Sequence, residues 1–134
     1  MKVRDLNINK YKISSKRFRE LYYFCLQYDE WKKELKNLEN PLKSIDLSNE
    51  IKGSGTASPT EDIAIKRLEL SEKCNLIEET AKKVAGDLYE YLLLAITKEK
   101  TFNYISLIKN IPCSRNTFYN IRRKFYFLLS QSKK

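Results

Sequence analysis

The sequence predicts an all-α protein, and three observations carry that reading. Only three Gly and three Pro punctuate 134 residues, too few for many short strands. Apolar residues recur at spacings of three and four over long stretches. Hydrophobic residues make up 42% and charged residues 32%, a mix that suits a chain that folds in water.

The first helical pattern runs from about Ser15 to Glu39. Leu21, Phe24, Tyr28, Trp31, Leu35 and Leu38 form a heptad-like stripe, widened by Phe18 and Cys25. Ser14 or Ser15 can cap its start, and Asn40-Pro41 ends it. Such a stripe serves equally as intrachain core or as a dimer seam. Residues 1–39 are therefore read as a basic arm plus one long helix for packing or dimerisation. Residues 40–58 lose all periodicity and collect Pro, Gly and Ser, which predicts a flexible linker.

The third segment, 59–134, reads as a helical domain. Ser58-Pro59-Thr60-Glu61 places a capping Ser, a Pro at the first helical position and a Glu three residues after the cap. The helix that follows reaches Ala85, with Ile63, Leu70, Cys74, Ile77, Ala81 and Val84 as its stripe and Arg67 as a polar interruption. Gly86 suits the left-handed position after it. Asp87 is then expected to cap a helix apolar nearly all round, Leu88 to Ile96, which belongs in the centre of a domain.

Two shorter patterns follow. Thr101 can cap a helix from about Phe102 to Lys109, with Ile105 and Ile108 facing inward. Asn110 can adopt the left-handed conformation that ends it. Ile111 is placed to plug the gap between helices, and Pro112 stops continuation. Ser114 caps a last helix, Arg115 to about Gln131. Phe118, Ile121, Phe125, Leu128 and Leu129 share one face of it, and Asn116, Asn120 and Arg123 the other. The whole is a helix-turn-helix at about 101–131.

Charge sorts along the chain and suggests a polyanionic partner. Residues 1–19 hold seven Lys/Arg against one Asp, and residues 98–134 hold nine Lys/Arg against one Glu. The stretch between them is mildly acidic, within a net charge of +9. Solubility alone does not require such sorting. Double-stranded DNA is the expected partner, read by the last helix in the major groove. Arg pairs bidentately with guanine and Asn with adenine, so Arg115, Asn116, Asn120 and Arg123 are the candidates to reach base edges. Thr117, Tyr119 and Lys124 are candidates for phosphate contacts. Backbone N–H groups at Ser114 and just after it could hold a phosphate at the helix start. Arg115 sits in a first helical turn, where a cation is locally unfavourable, and so do Lys16, Arg17 and Arg19. Removing residues 1–39 is expected to leave a folded core of lower DNA affinity.

Other classes find less support. There is no His, and Cys25, Cys74 and Cys113 are far apart, so no Cys/His zinc site is expected. The chain shows no P-loop, G-x-S-x-G, paired acidic motif or metal spacing, so neither enzymatic activity nor a cofactor is expected. No apolar run suggests a membrane span, and the N-terminus has no signal-like apolar region. The expected location is the cytoplasm. Two alternatives stand beside a DNA-binding regulator: a small terminase-like DNA-packaging subunit, and a helical protein–protein adaptor.

The stretch IPCSRNTFYNIRRKFYFLLSQ, with GSGTASPTEDIAIKRLEL upstream, resembles phage and prophage late-gene transcription regulators of the ArpU and RinA type. The resemblance covers roughly Gly53 to Ser130, and more loosely Tyr28 to Lys32. It implies a C-terminal module like region 4 of sigma factors, with the recognition helix on Ser114 to Lys124. It further implies an activator acting in a bacterial host cell, with host RNA polymerase as a second partner. A homodimer is also open.

Overall fold

A computed structural model describes residues 13–38 and 59–133. Among these residues there are helices and no strand: α1 (Ser15–Leu26), α2 (Tyr28–Leu38), α3 (Pro59–Ala85), a 3-10 turn (Gly86–Leu88), α4 (Tyr89–Lys98), α5 (Phe102–Lys109) and α6 (Arg115–Ser132). The all-α class is as expected. None of these helices is long and apolar enough to cross a membrane. Residues 1–12 of the expected basic arm, the linker (40–58) and the Ser58 cap lie outside the described residues.

One long helix over 15–39 is not what forms. The backbone breaks at Gln27, whose N–H bonds to Phe24 O at 3.3 Å, three residues back instead of four. The sequence around the break favours it, because Asp29 and Glu30 fall into the first turn of α2, where carboxylates offset the positive helix end.

The break coincides with a division of the chain into two compact units, Met1–Gln27 with Leu76–Lys134, and Tyr28–Asn75. In the second unit Tyr28 and Trp31 of α2 are buried, as are Leu70 and Cys74 of α3. Lys73 lies over the Trp31 ring at 5.2 Å, so Trp31 packs against α3. Arg67, the expected interruption of the α3 stripe, donates to Leu38 O at 3.0 Å and so closes the carbonyl end of α2.

In the first unit α1 packs against α4 and α6. Phe18, Leu21 and Cys25 are fully buried, together with Leu92, Ile96, Phe125, Tyr126 and Leu129. The Phe18 and Tyr126 rings meet edge-to-face, centroids 4.9 Å apart. Burial pushes the Cys25 thiol and the Tyr126 phenol well above their ordinary pKa values. Tyr22 donates to a Glu99 carboxylate oxygen at 2.6 Å, tying α1 to the end of α4. α1 thus supplies much of this core, which bears directly on the expectation that residues 1–39 can be removed and leave a folded core.

Local chemistry accounts for most helix ends. Ser14 accepts the Arg17 N–H at 3.1 Å and opens α1. Gly86 ends α3 with φ +55°. Asp87 does not cap α4 as expected. A 3-10 turn intervenes, and the residue before α4 is Leu88, without a side-chain cap. The left-handed Gly86 directs the chain into that tighter turn before the α geometry resumes.

Candidate nucleic-acid interface

Helices α4, α5 and α6 pack around Ala95, Ile105, Ile111 and Phe118, with Phe102, Cys113 and Tyr119 at the edge of the cluster. The turn between α5 and α6 is built from the residues the sequence singled out. Thr101 accepts the Tyr104 N–H at 3.1 Å and starts α5. Asn110 takes a left-handed φ of 56°, and its N–H reaches Ser106 O at 3.0 Å. Ile111 then turns inward and is buried. Ser114 accepts the Thr117 N–H at 3.2 Å and donates its own proton to Thr117 Oγ1 at 3.0 Å. The pair fixes the first turn of α6 at the point where it leaves the turn.

Ile108 is the exception on α5. It was expected inward and is 60% exposed. A helix of eight residues presents little more than one buried stripe. Ile105 occupies that stripe, and Ile111 fills the space at its end.

The eight sequence-selected side chains divide into two groups. Asn116, Thr117 and Lys124 are exposed along α6, as is Ser114 at its cap. Arg115 is exposed too, and Tyr119, Asn120 and Arg123 are half-buried. The Arg115 guanidinium hydrogen-bonds the side-chain oxygen of Asn103 on α5, and lies 5.8 Å from the Phe102 ring centroid. Arg123 donates to Asn120 Oδ1 at 2.8 Å, so these two present one joined polar surface. Tyr119 is half-buried against the core, and its hydroxyl accepts the Phe102 N–H at 3.4 Å. That hydroxyl sits at the start of α5 with its own proton still available to an acceptor.

Sequence reading missed three residues of this region. Asn103 holds Arg115, and its single polar letter on a short helix gave no signal. Arg122 is half-buried, with its guanidinium 5.8 Å from the Phe18 ring centroid and 5.2 Å from that of Tyr126. Tyr126 is fully buried. Phe118, Arg122 and Tyr126 follow one another at i, i+4 and i+8, so helical phase alone could have assigned the last two to the inner face.

From Lys100 to Lys133 every formally charged side chain is a cation. The single acid of this end, Glu99, is engaged by Tyr22. The surface around α5 and α6 is therefore suited to an anion and unsuited to a cationic ligand. Among the described residues no group of three or more His, Cys, Asp or Glu converges as a metal site. Cys113, next to the Ser114 cap, is a free, half-buried thiol whose pKa is raised by burial.

No protein-family model, curated protein or solved structure matches this chain.

Proposed function

We propose that this chain is a double-stranded-DNA-binding protein of the helix-turn-helix class, with α6 as the helix that enters the major groove. More particularly, it is a sequence-specific transcription regulator, an activator of phage or prophage late genes that works with host RNA polymerase in the bacterial cell. One observation carries the first part. The packing of α4, α5 and α6 around Ile111 leaves Asn116, Thr117 and Lys124 exposed on a helix whose formally charged side chains are all cations. The regulatory role is supported by the sequence resemblance over Gly53 to Ser130.

Binding of labelled duplex DNA, followed by fluorescence anisotropy at increasing salt, tests the first part. Neutralised phosphates release counterions, so the affinity should fall steeply and linearly on logarithmic axes. A flat response would sink the DNA-binding reading. Selection from random duplexes tests the second part, because a regulator should enrich one motif, with half-sites if it binds as a symmetric dimer.

A further inference from the structure

Six large hydrophobic side chains are exposed among the described residues, and five of them fall into two patches. The first is on α5, where Tyr104, Leu107 and Ile108 stand at i, i+3 and i+4 and Leu107 is 88% exposed. The second is on α3, where Ile65 and Leu68 stand at i and i+3, exposed by 57% and 59%. Single exposed apolar residues need no explanation, but clustered ones mark a surface that meets a partner.

The two patches carry opposite charge. Lys100 lies over the Tyr104 ring at 4.5 Å, Lys109 follows Ile108, and no acid occurs from Lys100 onward. On α3, Glu69 follows Ile65 by four residues and Glu72 follows Leu68 by four, so both carboxylates share the face of the patch. The neighbouring cations are drawn elsewhere. Lys66 pairs with Glu34 at 3.7 Å, and Arg67 binds Leu38 O. Either patch facing its own copy would bring like charges together, whereas the two facing each other would bring opposite ones.

We propose that Tyr104, Leu107 and Ile108 of one protomer dock onto Ile65 and Leu68 of a second copy of this chain. The cations around the first patch then face Glu69 and Glu72 of the second. The apolar side chains supply the contact, and the charges select partner and orientation. This pairing does not rest on DNA binding and is tested without DNA.

Sedimentation equilibrium of the full chain tests it, with Leu107→Asp and Leu68→Lys as variants. Both positions are exposed, and circular dichroism should show unchanged helicity. Leu107→Ser serves as the milder variant if Leu107→Asp loses helix. The wild-type mass should rise above the monomer with concentration. Each variant should shift that rise to about tenfold higher concentration or more. An equimolar mixture of the two variants should pair again, because one keeps the α3 patch and the other keeps the α5 patch. A wild-type chain that stays monomeric overturns the proposal. So does a folded variant that associates like wild type, or a mixture of variants that stays monomeric.

Discussion

The guanidinium of Arg17, in the first turn of α1, hydrogen-bonds carbonyls at the C-terminal end of α6, at Ser130 (3.1 Å) and at the capping residue Lys133. A cation at a helix N-terminus is locally unfavourable, yet here the charge serves the negative end of another helix. Glu20 completes the arrangement by pairing with the same guanidinium, which holds its carboxyl below the usual carboxylate range. Arg17→Ala should cost about 1–2 kcal/mol in urea unfolding, because charge-assisted bonds to orphan carbonyls are lost. Arg17→Lys should recover part of that. A neutral Arg17→Ala would mean that water satisfies those carbonyls equally well.

Tyr126 is fully buried, the Arg122 guanidinium is the polar group beside its hydroxyl, and no acceptor meets the hydroxyl proton within hydrogen-bond geometry. Leaving a donor unsatisfied costs about 1–3 kcal/mol, so Tyr126→Phe should be neutral or stabilising. Phe125→Ala, at an equally buried position, should instead cost about 3–5 kcal/mol. Thermal unfolding of both variants separates these outcomes. A clear loss of stability in Tyr126→Phe would show that the hydroxyl is bonded in solution.

Alkaline pH should destabilise the fold. Burial raises the pKa values of Tyr126, Tyr22, Tyr89 and Cys25, with Glu99 adding to the shift at Tyr22 and Glu78 and Glu90 at Tyr89. Groups raised in the folded state contribute stability that is complete below their unfolded pKa values, roughly 8.5 for a thiol and 10 for a phenol. Above those values the unfolded chain ionises while the folded core does not, and stability falls. Tm should drop between about pH 9 and 11, less steeply in Tyr126→Phe. A Tm that stays flat over that range would contradict the burial of these groups.

A chain lacking residues 1–27 should lose its cooperative transition, because Phe18, Leu21 and Cys25 lie in the core of the unit that contains α6. Calorimetry would detect this. A sharp transition in the shortened chain would show that α4, α5 and α6 fold without α1.

At Asn110, φ is 56°, a conformation that costs most L-residues about 1 kcal/mol or more. Asn110→Gly should therefore be neutral or stabilising, and Asn110→Ala destabilising by about 1 kcal/mol. Denaturant midpoints give the order. Equal midpoints would mean that the α5–α6 turn tolerates another geometry.

If α6 reads DNA, Arg115→Ala should relax specificity at one base pair and cost about 1–3 kcal/mol on the preferred site. Lys124→Ala should weaken all sequences alike and reduce the salt slope by about one. Competition binding against single-base variants of the selected site separates the two. A uniform loss in Arg115→Ala would assign that side chain to phosphate.

Local chemistry was legible in the sequence and decided where helices begin and end. A side-chain oxygen that accepts an N–H three residues on is a neighbour interaction, so Ser14, Thr101 and Ser114 could be read directly. The left-handed positions of Gly86 and Asn110 and the inward turn of Ile111 followed from residue type and spacing. Helical phase placed Asn116 on the exposed side of α6, whereas Asn120 and Arg123 of the same expected face are half-buried; the sorting of charge toward the C-terminal end was read from the sequence directly. Tertiary structure decided which residues meet across distance. It turned Arg17 from an oddity of α1 into the closure of α6, and Arg67 from a flaw in a stripe into the closure of α2. It left Ile108 outside a core already filled by Ile105 and Ile111. A cap depends on a few adjacent residues. A carbonyl end, a core vacancy or a ring face is offered by distant parts of the chain, and only the assembled fold brings them together.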